Sequence, residues 1–170
     1  MDVDAEFSAY VAARRPQLFR TACLLCGDPH RAEDIVQDAL VRLYGAWDRV
    51  SSVESVDAYV RRIIVNAHYS DRRRPWRRES VREVAEVPLE PGFPVEEADA
   101  IREALRQLPP GQRRVIVLRH IWGLSVQETA GELGIRPGTV KSQSFDALAA
   151  LRRALSSDLE ATPAATGEDR

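Results

Sequence analysis

A chain of 170 residues, 44% apolar and 29% charged, holds material for one or two small packed domains. No run approaches the ~18 apolar residues of a membrane span. The acidic start MDVDAEF lacks the basic-then-apolar form of a secretion signal, so a cytoplasmic protein with no membrane partner is expected. The net charge of −2 conceals an alternation: residues 61–82 carry eight arginines against Asp71 and Glu79, residues 83–110 seven acidic and two basic groups, and residues 111–156 seven basic and three acidic. Two basic blocks around an acidic stretch predict two contacts with nucleic acid, because phosphates respond to local rather than total charge. Solvated helix faces are the plainer alternative.

Residues 4–26 read as helical, with Phe7, Tyr10, Val11, Leu18, Phe19, Ala22 and Leu25 as core positions, and Pro16 is expected to break or restart the segment. Cys23 and Cys26 form a C-x-x-C. That spacing fits a redox pair or half a zinc site, but only His30, His68 and His120 are available as further nitrogen ligands. In the apolar segment LFRTACLLCGD, cysteine reads as a small core residue. No metal or other cofactor is expected.

Gly27-Asp28-Pro29 is a stop followed by a start, with Asp28 as cap and Pro29 at the first helical position. The next helix is expected to run to about Val50, burying Ala32, Ile35, Val36, Ala39, Leu40, Leu43 and Trp47. Asp34, Gln37 and Asp38 cluster on another face, which on pattern alone means solvent. A third helix is predicted at about 56–74, with Val56, Val60, Ile63, Ile64 and Ala67 inward. Arg61, Arg62, Tyr69, Arg72 and Arg73 project elsewhere, with Tyr59 at the border. Cations and rings on one accessible side suit opening or single-stranded DNA, the cations holding phosphates while the rings stack on bases. Aromatic capping of the core is the alternative for Tyr59 and Tyr69.

Residues 77–95, with Pro88, Pro91, Gly92, Pro94 and recurring glutamates, read as a flexible linker. A helix over 96–107, with Ala100, Ile101, Ala104, Leu105 and Leu108 on one side, ends at Pro109-Pro110-Gly111. Another follows at 112–122, burying Val115, Ile116, Leu118 and Ile121. Ser125 and Glu128 form an S-x-x-E capping box. Val126, Thr129, Ala130 and Leu133 follow at helical spacing. Gly134 stops that helix and Pro137 starts the last one. Val140, Ala147, Leu148, Leu151 and Leu155 make its apolar stripe, while Thr139, Ser142, Gln143 and Asp146 lie opposite. Two helices at a short glycine turn, the second offering polar groups from its first turns, predict a DNA-binding helix-turn-helix.

The expected fold is thus all-α: two small helical domains joined by a flexible acidic linker, the C-terminal one containing a helix-turn-helix. The boundaries read 1–78, linker 79–95, 96–156, and a disordered tail 157–170 without apolar periodicity.

The wording of the residues adds to this. Leu108–Ser142 meets the pattern L-P-x-x-x-R, L-S-x-x-E-x-A, L-G-x-x-x-G-T-V-K-S and closely resembles the promoter-binding C-terminal domain of sigma-70 family factors. Response-regulator output domains share much of that pattern. AEDIVQDALVRLYGAW resembles the segment with which sigma factors dock on core RNA polymerase, and DAYVRRIIVNAHYSDRRR the helix that melts and reads the minus-ten-type element. With both in the right order, the chain is similar to extracytoplasmic-function sigma factors, in particular the SigE-like actinobacterial subset.

The resemblance implies docking on core polymerase through Asp34, Gln37 and Asp38. It implies contacts of Tyr59, Arg61, Arg62, Asn66, Tyr69, Arg72 and Arg73 with melted promoter DNA. It also implies contacts of Arg136, Thr139, Lys141, Ser142, Gln143 and Asp146 with the double-stranded minus-thirty-five-type element. Lys141 suits phosphate or base and Gln143 suits adenine. Three positions depart from the family: Ser70 stands where many relatives have Asp, Arg136 where they often have a capping Ser, and Asp146 where Arg is common. The family often includes an anti-sigma partner. No catalytic constellation is present, so no enzyme is expected. A polymerase- or DNA-binding regulator that does not initiate, and a thiol sensor through Cys23 and Cys26, are the alternatives.

Overall fold

The computed structural model describes residues 3–50, 53–71 and 95–161, and among these every regular element is a helix. In order they are α1 (Val3–Cys26), α2 (Pro29–Ala46), α3 (Val53–Asp71), α4 (Val95–Gln107), α5 (Pro110–Ile116), α6 (Val126–Leu133) and α7 (Pro137–Ala161). The linker expected at 79–95 lies outside the described residues up to position 94, as do 162–170 of the expected tail. The tail expectation needs correction at its start, because α7 continues to Ala161.

Pro16 does not break α1, which is one helix with the proline inside it. An interior proline costs about 3 kcal/mol. Full burial of Leu18 and Leu25 contributes about 2 kcal/mol each, and both depend on the segment after Pro16 continuing in register with the segment before it. Pro16 itself is exposed, where its ring meets solvent rather than a neighbour.

Asp28 caps α2 as the sequence implies, accepting from the backbone of His30 and Arg31. The helix ends at Ala46 rather than near Val50, and a 3-10 turn, Trp47–Arg49, follows. Trp47 stacks edge-on with Phe7 and Tyr10 of α1, at ring centroid distances of 5.2 and 5.6 Å. Tyr10 donates its hydroxyl to Asp57 of α3 at 2.8 Å, and Arg14 pairs with the same carboxylate at 2.8 Å. Burial, with Asp57 beside it, raises the Tyr10 hydroxyl above its ordinary pKa. α3 begins at Val53, ahead of the expected start, and buries Val56, Val60, Ile64 and Val65.

In the C-terminal half, α5 passes into a π turn, Val117–Ile121, closed by a bond from the Trp122 amide to the Val117 carbonyl at 3.2 Å. One extra residue in a turn rotates the following side chains around the axis. Val117 and Leu118 are therefore both buried, while Ile121, expected in the core, is 40% exposed. Ile101 of α4 also faces outward more than its spacing suggested.

The two halves do not stand apart. One core runs from Leu18, Leu25 and Ile64 to Leu105, Leu108, Val117 and Leu118. Arg113, only 7% exposed, spans the junction. Its Nη1 donates to the Leu25 carbonyl at 2.8 Å, and its Nη2 donates to the carbonyls of Arg106 and of Leu108, the latter at 3.1 Å. It thus places a cation on the C-terminal carbonyls of both α1 and α4, where the helix dipole is negative. Trp122 Nε1 donates to the buried Thr21 hydroxyl at 3.1 Å, while that hydroxyl donates to the Gln17 carbonyl at 2.9 Å. Replacing Arg113 by alanine removes the donor from three helix-end carbonyls, two of them buried; urea unfolding of the variant should show a loss on the order of 3 kcal/mol.

Candidate nucleic-acid interface

The helix-turn-helix is built by local signals that all agree. Ser125 Oγ accepts from the Glu128 amide at 3.1 Å, and Glu128 Oε2 accepts from the Ser125 amide at 2.7 Å. The bond to that amide holds the fully exposed Glu128 carboxyl below its usual range. Gly134 closes α6 in the left-handed region at φ 64, and the Ile135 amide returns to the Ala130 carbonyl at 3.1 Å. Val115, Ala130 and Val140 form the small core that fixes α7 against α5 and α6.

The structure exposes Arg136, just before α7, and Lys141, Ser142 and Asp146 on it, with Thr139 half-buried. Ser142 donates its hydroxyl to the Thr139 carbonyl at 3.1 Å. Gln143 is placed differently from its expected outward role. It is half-buried and lies over Gly111 of α5, where an added Cβ would come 3.2 Å from Gln143 Nε2. Phe145, which the pattern of polar residues passed over, is 74% exposed on the same outward face. The signal was available: Phe145 stands four residues after Lys141, one turn along the helix.

On α3, Arg62 and Asn66 are exposed and Tyr59 is half-buried. They line a cleft with Ile63, Ala67 and Arg42 of α2. Arg42, absent from the sequence-derived site, is held by Asp38 at 2.9 Å. Tyr69 sits in the last turns of α3, and Arg72 and Arg73 lie outside the described residues. Arg61 does not reach solvent as expected. Its Nε and Nη2 donate to Glu132 Oε1 of α6 at 2.8 and 2.5 Å, and its guanidinium lies 5.0 Å from the centre of the Trp122 ring.

A third surface lies on α2. Asp34, Gln37 and Asp38 are exposed at three- and four-residue spacing on one face. Val41, 72% exposed, continues that face, as does the half-exposed Tyr44, whose hydroxyl donates to Asp4 at 2.7 Å. An apolar side chain left in water among carboxylates is the part of this surface that the sequence pattern missed.

The cysteines are not arranged for chemistry. Both are free, and Cys23 is 6% exposed. Burial, helped by Cys26 beside it, pushes the Cys23 thiol up to about 12. Burial also raises Cys26, whose thiol donates to the Asp28 carbonyl at 3.2 Å. Among the described residues no group of three His, Cys, Asp or Glu side chains is placed to hold a metal ion, and no helix is long and apolar enough to cross a membrane.

A helix-turn-helix packed on a second, arginine-bearing helical half defines a DNA-binding protein of transcription. Comparison with known proteins gives the family. Residues 10–78 match sigma-70 region 2 and residues 98–151 match sigma-70 region 4. The RNA polymerase sigma-E factor of Streptomyces avermitilis is 42% identical over 166 residues, spanning 92% of this chain and 89% of that one. The ECF RNA polymerase sigma factor SigM of Mycobacterium tuberculosis is 34% identical over 146 residues, spanning 82% and 71%. Among solved structures, the sigma factor RpoE of Bartonella quintana, in complex with the anti-sigma factor NepR, superposes with a TM-score of 0.75. It is 27% identical, over 89% of this chain and 97% of its own. The chain belongs to the sigma-70 family of RNA polymerase sigma factors, in its extracytoplasmic-function group.

The raised thiol pKa values have a direct consequence. A thiol reacts as its thiolate, and burial raises both groups above their ordinary value of 9.0, Cys23 to about 12. Iodoacetamide at about pH 8 should therefore leave Cys23 and Cys26 unmodified in the folded protein and alkylate both after denaturation, as read by intact mass.

Proposed function

We propose that this sigma factor binds core RNA polymerase through the α2 face and directs initiation at a two-part promoter. The observation that carries the assignment is the outward face of Asp34, Gln37, Asp38 and Val41, which lies on a different helix from the residues assigned to DNA. Carboxylates around one desolvatable valine suit a basic, partly apolar protein surface. The cytoplasm, where polymerase works, is the compartment this reading implies. Residues 1–78 form the polymerase-binding and strand-melting domain, 79–94 the linker, 95–161 the upstream-element domain and 162–170 the tail.

In the upstream-element domain, α7 enters the major groove. Lys141 and Arg136 neutralise phosphates, and Thr139, Ser142 and Gln143 supply polar contacts near the helix start. Gln143 reaches an adenine edge only by leaving its packing over Gly111. Phe145 offers apolar contact to a thymine methyl, and Asp146 accepts from cytosine N4 while repelling phosphate. In the other domain, Arg62, Asn66 and Tyr59 meet the separated strand, together with Arg61, Tyr69, Arg72 and Arg73. A protein inhibitor of the anti-sigma class is a further partner, supported by the likeness to Bartonella quintana RpoE, which was solved bound to one.

The test is transcription by purified core polymerase reconstituted with this protein, with promoters selected from a random library. A shared two-part promoter is expected; binding without initiation would move the assignment to a non-initiating regulator. Val41→Asp should raise the Kd for core polymerase at least roughly tenfold by adding a charge at the centre of the contact. Asp146→Arg should tighten binding to the upstream element and steepen the log K against log salt slope by about 0.9, the increment for one more phosphate contact. An unchanged slope would remove Asp146 from the DNA face.

A further inference from the structure

Gln143 is the only amide side chain of α7, and an amide is the group that pairs with both N6 and N7 of adenine. The fold seats it over Gly111, the second residue of α5. A Cβ at Gly111 would stand 3.2 Å from Gln143 Nε2, 3.4 Å from Oε1 and 3.6 Å from Cδ. The missing side chain of Gly111 thus points straight at the amide. Gly111 has no positive φ, so the backbone does not call for glycine, and inside a helix glycine is destabilising. What this glycine provides is room for Gln143. The seat is a loose one. Gln143 Oε1 is buried and accepts no hydrogen bond among the described residues, and a buried acceptor without a donor is unfavourable. Turning the amide outward restores water to that oxygen.

We propose that Gly111 is a specificity-determining residue for the upstream element: it seats Gln143 and so keeps the preference for adenine weak at the base that Gln143 can face. The inference rests on the assignment of α7 as the helix that enters the major groove. Gly111 touches no base; it is a positioning residue that acts through Gln143. The seated form binds all four bases alike at that position, and only the outward form distinguishes adenine. Discrimination is therefore reduced by the fraction of molecules seated. Lys141, Phe145 and Asp146 are already exposed and need no such step. A side chain at position 111 removes the indifferent form.

The test is Gly111→Val, because two methyls on a stiff χ1 cannot both turn away from the amide. Gly111→Thr has the same shape and should act alike, with circular dichroism checking the helicity of each variant. In the free full-length protein, a nuclear Overhauser effect between the Gln143 side-chain amide and the Gly111 Hα is expected, and the variants should lose the contact between that amide and residue 111. Reconstituted holoenzyme is then assayed on promoters carrying each base in turn across the upstream element. Both variants should raise the preference for adenine at one position roughly tenfold, as when the outward form goes from about a tenth of molecules to most of them. Adding Gln143→Ala to Gly111→Val should erase the rise. A contact absent from the parental protein, or kept by both variants, would overturn the seat. A displaced amide with unchanged base preference, or a rise that survives the loss of Gln143, would overturn the specificity role. The resonance measurement makes no use of transcription. A parental protein that fails to initiate with core polymerase would therefore sink the functional assignment while the seat is still judged by its contact.

Discussion

The last two turns of α1 are buried on every side. Leu18, Thr21, Ala22, Cys23, Leu24 and Leu25 all lie in the interior, and a helix apolar all round must be covered all round. α2 and α3 cover one part of its circumference. The remainder is covered by α4 and by the π turn after α5, which belong to the other half of the chain. The junction between the halves is therefore required by the N-terminal helix itself. Arg113 on the Leu25 carbonyl and Trp122 on the Thr21 hydroxyl then meet the polar groups that this burial strands.

That closure divides the charged residues into two kinds. Arg113 and Arg61 sit in the two basic blocks that the charge pattern assigns to nucleic acid, yet in the structure both serve the protein. Arg113 holds helix ends together, and Arg61 answers Glu132. Arg62, Arg136 and Lys141 remain turned to water. Local charge density marks a block as basic, but only packing separates a cation that binds carbonyls from one left to bind phosphate.

The same division applies to the apolar residues. Val41 and Phe145 lie outside the core on the faces assigned to polymerase and to the major groove. Single exposed apolar side chains are ordinary on a protein surface. These two gain meaning from the charged and polar neighbours that share their helical face. The cysteines run the other way: a spacing that suggests chemistry becomes, once buried, part of the core.

What the sequence determined by itself is local. The capping box at Ser125 and Glu128, the stop at Gly134, the starts at Pro29 and Pro137, and the apolar stripes of α2 and α7 are each written within a turn or two of chain. Dihedral preference and hydrogen-bond satisfaction act over that range, so the helix-turn-helix and the family wording were both legible. Tertiary structure decided the rest. It carried α1 through Pro16, because the burial of the turns that follow it, from Leu18 to Leu25, outweighed the proline's cost. It rotated Ile121 outward, because a π turn depends on what the helix packs against. It also took Gln143 and Arg61 inward, through Gly111 and Glu132, partners that lie 32 and 71 residues away along the chain and that no local pattern connects.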